Sequence, residues 1–196
     1  MLRFLRQRRM TEALPTRWSF QPSPWSSAIP LIAQENAGRQ STIGTGCTLF
    51  HDARQARVAW LQLPASPPDR RCPFSFEIHA PGFDGSYLSL AIAIPERFCR
   101  SIDRKSIISI ELHALGTAEL PASLRMNAKR GPNTYENWQP IKLLGPVQIV
   151  EFDMSNFGIN PASADNMWLD FMVAQSGSWQ FAINALSISH RHRLEF

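Results

Sequence analysis

The segment Ser86–Ile94, SYLSLAIAI, places Leu88, Leu90, Ile92 and Ile94 at strict intervals of two, with Tyr87, Ser89, Ala91 and Ala93 between them. A helix would scatter these residues around its circumference, whereas a strand sorts them onto two opposite faces. Phe74–Ala80, FSFEIHA, repeats the pattern, with Phe74, Phe76 and Ile78 on one side and Ser75, Glu77 and His79 on the other. Similar runs predict strands over Arg57–Leu63, Lys105–Leu115, Ala122–Lys129, Pro146–Met154, Met167–Ala174 and Trp179–Ser189. The last changes phase near Asn184-Ala185, which a β-bulge explains. PERFCRSI, opened by Pro95, is the one segment that reads as a helical turn. About eight short strands with turn signals between them predict an all-β fold, an antiparallel β-sandwich of jelly-roll, galactose-binding-like type with one short helix.

At 196 residues the chain is sized for one domain. The net charge is +4, and the four arginines of the first ten residues, MLRFLRQRRM, account for all of it. The pattern divides the chain into a basic arm over 1–16, a Pro- and Trp-rich extended wrap over 17–47 and a sandwich over 48–196. In the arm, Arg3, Phe4, Arg6, Arg8 and Arg9 would form a short amphipathic helix, suited to an anionic membrane surface or a protein partner. In the wrap, Trp18 and Trp25 would pin an irregular, proline-broken segment against the body. The balanced charge of the body argues against nucleic acid. Cys47, Cys72 and Cys99 are isolated, without disulfide or zinc spacing. With no signal-peptide pattern and no apolar run long enough to span a bilayer, they point to a cytoplasmic setting, with the arm able to reach the inner face of the membrane.

The inventory of chemistry is thin. Nucleotide, dinucleotide, zinc-protease and nucleophile-elbow motifs are all missing, and no cofactor is implied. Two E-x-H pairs, Glu77/His79 and Glu111/His113, each share a strand face. Four metal-capable groups would converge if their strands were neighbours, as in a cupin-like enzyme. Alternating polar residues are otherwise the ordinary solvated side of an antiparallel sheet. A second set is more specific. Arg125, Asn127 and Lys129 form one polar row, Trp168 and Asp170 a second, and Tyr87 and Ser89 join them if the strand order allows. An aromatic platform flanked by planar polar groups suits a sugar, because the ring packs on the apolar face of a pyranose while the polar groups bind its hydroxyls. Finally, Arg130-Gly131-Pro132-Asn133 reads as a turn with Pro132 at its second position and Asn133 at its third. Lys129, Arg130, Asn133, Tyr135 and Trp138 would then decorate a rim loop.

Five segments in this order carry a resemblance: FHD (Phe50–Asp52), FDGSYLSL (Phe83–Leu90), LRMNAKRGPNT (Leu124–Thr134), VEFDM (Val150–Met154) and MWLDFMV (Met167–Val173). From Arg17 onward the chain resembles an uncharacterised alphaproteobacterial family of the Rhodobacter–Roseobacter type, a domain of unknown function. The arm is shorter than the long basic region associated with that family. The resemblance implies a β-rich domain similar to carbohydrate-binding jelly rolls and transfers no catalytic residue. The functional expectation is non-catalytic binding, first as an accessory or scaffold subunit on a protein partner or larger complex. The alternative is a carbohydrate-binding module using the Arg125/Asn127/Trp168 face, and the third reading is the cupin-like metal enzyme.

Overall fold

In a computed structural model, residues 15–66, 70–116, 120–143 and 147–193 are described. The basic arm, with Arg3, Phe4, Arg6, Arg8 and Arg9, lies outside them. In chain order the elements are β1 (Trp18–Phe20), α1 (Ser23–Ser26), β2 (Ala33–Gln34), β3 (Gln40–Gly44), β4 (Cys47–His51), β5 (Ala59–Pro64), β6 (Phe74–Phe83) and β7 (Leu88–Ala93). There follow α2 (Glu96–Cys99), β8 (Ser106–Gly116), β9 (Ala122–Arg130), β10 (Asn133–Ile141), β11 (Gln148–Asp153), β12 (Asn166–Val173) and β13 (Gly177–His192). They form a two-sheet antiparallel sandwich with only short helical turns. One sheet runs β11-β8-β13-β6-β5-β2, with β1 also on β13; the other runs β10-β9-β12-β7-β4-β3.

The period-2 pattern explains the core. Phe76, Ile78, Ile110 and Ile183 face inward from the seven-stranded sheet, and Leu90, Ile92, Met126 and Leu169 from the six-stranded one, all of them buried. Phe171 and Phe181 stack across the interior at 5.1 Å between ring centres. Each such residue is removed from water on all sides, which contributes about 1.5–3 kcal/mol per large aliphatic or aromatic side chain.

β13 does most to join the molecule. Gly177–Ile183 pair with β6 on one side and Phe181–His192 with β8 on the other, and the pairing with β8 shifts register between Ile183 and Ala185, at the phase change visible in the sequence. At that irregularity the Ile183 carbonyl accepts a hydrogen bond from the fully buried Trp25 indole at 2.8 Å. Trp18 stacks on Phe98 at 4.4 Å and donates to Ser101 Oγ at 2.8 Å. The Pro- and Trp-rich segment 17–47 that these anchors hold is less irregular than its prolines imply. It contains a helical turn entered through Pro22, and it supplies strands to both sheets. Backbone groups in a buried segment must be paired, and here sheet edges and the Gln62 side chain pair them. Gln62 donates to the carbonyls of Pro24 and Ser27 and accepts from the Ile29 amide.

A further strand replaces the expected rim loop. β9 and β10 pair directly from Arg130–Asn133 onward, leaving a two-residue connection of Gly131 and Pro132. Gly131 carries the positive φ of 55°, and among the described residues only glycines have positive φ. Glycine first, proline second is the type II′ order, which matches the twist of the paired strands. Pro132 is therefore the third residue of the turn, not the second as its proline preference suggests, and Asn133 begins a strand. Tyr135 and Trp138 consequently point to opposite faces. Tyr135 packs against the core, whereas Trp138 is 43% exposed.

Candidate functional site

The outward face of the six-stranded sheet carries a groove of about 750 Å³, within the usual range for small-ligand sites. Its shape follows from side-chain size and register. Small outward residues floor the groove: Gly46 just before β4, Thr48 on β4, and Ser89, Ala91 and Ala93 on β7. On the β12 side rise Trp168 and Met172, on the β4 side Phe50. Tyr87 and Lys129 also line the groove. From Tyr87 to Ala93 it follows β7 for roughly 20 Å at the usual rise of a strand.

Register sets the rows across this face. Trp138, Arg125, Asp170, Ala91 and Thr48 lie side by side on five successive strands, and Asn127, Trp168 and Ala93 form the next row. Asp170 is the hub. Its side chain is only 4% exposed. Oδ2 accepts from Arg125 Nε at 2.9 Å, Arg125 Nη2 at 2.7 Å, Asn127 Nδ2 at 2.9 Å and Trp168 Nε1 at 3.2 Å. Oδ1 accepts from Ser89 Oγ at 3.1 Å. A buried carboxylate is tolerable only when paired and fully hydrogen-bonded, and this one is both. The result is a rigid plate: the Trp168 indole, the Arg125 guanidinium and the Asn127 amide are held in one arrangement by a single anion. Arg125 continues outward, lying 4.7 Å over the Trp138 ring and donating from Nη1 to Glu136 Oε2 at 3.2 Å. Trp138 Nε1 donates to Glu136 Oε1 at 3.0 Å.

Two loops brace the Tyr87 end. Asp52 accepts from the Ser86 amide, the Ser86 hydroxyl and the Tyr87 amide at 2.7, 2.6 and 3.1 Å. Asp84 accepts from the amides of Arg54, Gln55 and Ala56 at 2.9, 2.9 and 3.2 Å. Each loop thus supplies the carboxylate that satisfies the other. Burial tends to raise the Asp52 pKa, but the Ser86 and Tyr87 donors together outweigh it and hold it below the usual carboxylate value. The Arg54 amide leads the same lowering at Asp84. Gly85 lets the loops close, since a Cβ there would lie 2.4 Å from Asp52 Oδ1 and 2.8 Å from the Ala53 amide.

The structure thus brings Arg125, Asn127, Trp168 and Asp170 into one network, with Tyr87 and Lys129 on the same groove. The four E-x-H residues, Glu77, His79, Glu111 and His113, do not converge, which corrects the expectation of a cupin-like metal site. β13 lies between β6 and β8, and Glu77 is level with Leu115, four residues along from Glu111. His79 is level with Gln180 on β13, whereas His113 is level with Ala185, beyond the register shift, so the two imidazoles are offset along the strands as well as separated across them. Glu77 meets His79 at 3.3 Å and Glu111 meets Arg71 at 3.6 Å, while His113 is half-buried on β8. Among the described residues no three His, Cys, Asp or Glu side chains form a metal-binding group. The Asp52/Asp84 clasp and the small-residue floor had no role in the sequence reading. The aspartates in FHD and FDG were the available signal for the first, and the run Ser89-Leu90-Ala91-Ile92-Ala93, with its small outward set, for the second.

The chain belongs to DUF6478, a family of unknown function, which it matches over residues 1–196. No curated protein matches it by sequence. Among solved structures it is similar to a family 30 carbohydrate-binding module, at 8% identity and a TM-score of 0.51, over 92% of this chain and 91% of that one. It is also similar to the enzymatically active domain of tailspike protein 4 from bacteriophage CBA120, at 11% identity and a TM-score of 0.52. That match covers 76% of this chain but only 19% of the tailspike chain. A family 11 carbohydrate-binding module from Clostridium thermocellum, solved with a β-1,3-1,4-mixed-linked tetrasaccharide, follows at 15% identity and a TM-score of 0.48, over 85% of this chain and 99% of that one. The first two likenesses show the fold alone: a two-sheet antiparallel β-sandwich resembling that of a carbohydrate-binding module. No described helix is long and apolar enough to cross a membrane.

Proposed function

We propose that this member of DUF6478 is a non-catalytic carbohydrate-binding protein that holds a short glycan along the groove of its six-stranded sheet. The observation that carries the reading is the Asp170 network, which fixes the Trp168 ring beside a trough floored by Ser89, Ala91, Ala93 and Thr48. A flat, preorganised indole offers an apolar surface to a pyranose at little cost in ordering. The resemblance of the whole chain to a family 30 carbohydrate-binding module supports it at the level of fold. The test is retention on immobilised polysaccharides, with the wild type against Trp168→Ala. Retention lost in the variant supports the reading. A wild type that no polysaccharide retains, across neutral and acidic panels, overturns it.

A protein partner remains a second reading, favoured by a separate observation. Leu31 and Ile32, just before edge strand β2, are 53% and 62% exposed. They lie away from the groove, so an accessory-subunit role through that edge is compatible with glycan binding. Blunting them with Leu31→Ser and Ile32→Ser would abolish a co-purifying partner under this reading; unchanged co-purification would count against it.

A further inference from the structure

Resting on the glycan-binding reading, we infer that the groove selects acidic glycans, those bearing carboxylate or sulfate groups, and that Lys129 is the residue that recognises the acid. A neutral sugar presents hydroxyl protons, and a site for it benefits from free carboxylate acceptors. Among the described residues this groove offers none. The carboxylate that lines it, Asp170, already accepts five hydrogen bonds and is buried beneath the residues that donate them. Glu136, level with Asn127 on β10, is taken up by Arg125 and Trp138, and Asp165, next to Asn166, accepts from the Gly131 amide.

The donors are distributed the other way. Arg125 spends three of its five N–H groups on Asp170 and Glu136, and the rest stay within a guanidinium whose charge those acids balance. Lys129 is different. Its side chain lines the groove, is exposed, and makes no hydrogen bond or ion pair among the described residues. Lys129 sits opposite Asn166, whose side chain also lines the groove, and one diagonal step from Trp168 on the same face. A diagonal pair of this kind is separated by about 7–8 Å. A sugar stacked on Trp168 therefore carries its ring substituents toward an uncompensated ammonium. With no free carboxylate and with the unpaired Lys129 ammonium beside Trp168, the groove complements a ligand that is negative. Phosphate-like point charges alone would not use the trough or the indole; a glycan with an anionic substituent uses both.

The experiment is calorimetric titration of the full chain with four probes: oligogalacturonate, the same oligosaccharide after carboxyl reduction, a sulfated galactan oligosaccharide and a neutral β-glucan oligosaccharide. The expected result is binding of at least one acidic probe about tenfold tighter than the carboxyl-reduced or neutral ones. Lys129→Met should bring that acidic probe to within about twofold of its neutral counterpart. Lys129 is exposed on a strand, and Lys129→Gln provides a second variant that keeps a polar chain and lacks the charge. Preference for the carboxylated over the sulfated probe, or the reverse, identifies which acid is read. Equal or tighter binding of the neutral probes, still lost in Trp168→Ala, overturns acid selection while leaving the groove a glycan site. Binding to none of the four overturns acid selection, and extended to the polysaccharide panels it removes the glycan reading too.

Discussion

The outward faces of the two sheets look alike in sequence and differ in structure. Both alternate polar residues with core residues. On the seven-stranded sheet the polar residues meet in separate, solvated contacts: Glu77 with His79, Arg191 with Glu151 at 3.0 Å, and Arg71 with Glu111, whose side chains are 64% and 43% exposed. On the six-stranded sheet, donors from β7, β9 and β12 converge on Asp170, and Asn127 and Ser89 are buried with it. Neighbouring bulk accounts for the difference. Trp168 and Arg125 cover Asp170, while the small residues of β4 and β7 leave a depression beside it. Exposed pairs of the first kind contribute little to stability, whereas a buried, fully paired anion makes every member depend on the others.

The sharpest way to break this contrast is Asp170→Ala. It leaves Arg125 without its main counter-charge and strips Asn127 and Trp168 of an acceptor. Removing one partner of a buried pair costs about 3–5 kcal/mol, and denaturant unfolding measures it. Loss of under about 1 kcal/mol would mean that the network is not a unit.

The seven-stranded sheet buries a titratable group of the opposite kind. His190 is 1% exposed and its Nε2 lies 2.8 Å from Ser106 Oγ. Burial, then the nearby His192 and Arg17 charges, push its pKa down to about 4. The folded form therefore stays neutral where the unfolded chain is already protonated. Its contribution to stability is complete above about pH 6.5 and is lost as pH falls from there toward 4. Thermal unfolding between pH 7 and pH 4.5 should show a fall in Tm that His190→Gln reduces. An unchanged pH slope in that variant would assign the acid sensitivity elsewhere.

Smaller effects separate the groove end from its surroundings. Asp52→Ala frees the Ser86 and Tyr87 amides, a loss comparable to that of a helix cap, about 0.5–2 kcal/mol. It should also weaken glycan retention by loosening Tyr87. On the other face, Glu77→Ala should change stability by no more than about 0.5 kcal/mol. A larger loss there would erase the distinction between the two faces.

Much of the fold was legible because side-chain period is a local property. Phe74–Ala80 and Ser86–Ile94 declared their core faces without reference to any neighbour, and the bulge at Ile183–Ala185 showed as a broken phase. β10 escaped because NTYENWQPI has few apolar residues at every second position and lies at a sheet edge, where pairing rather than burial makes the strand. β3 and the α1 turn escaped for a related reason: prolines and serines set their local geometry, but the rest of the fold decides what they pair with. The site divides in the same way. Arg125, Asn127, Trp168 and Asp170 could be placed on outward rows from alternation alone. That β12 lies between β9 and β7, making Asp170 the common acceptor, is a fact of strand order that no local pattern contains. The pairs Glu77/His79 and Glu111/His113 failed on the same ground, since β13 separates their strands.

The most direct measurement is a two-dimensional NMR titration that follows the tryptophan indole N–H signals as an acidic oligosaccharide is added. Trp168 Nε1–H, hydrogen-bonded to Asp170 at the groove, should shift saturably with ligand, while Trp25, bonded to the Ile183 carbonyl in the core, should stay still. A saturating ligand that leaves the Trp168 signal in place, or moves only signals of the seven-stranded sheet, would contradict the assignment of the groove as the binding site.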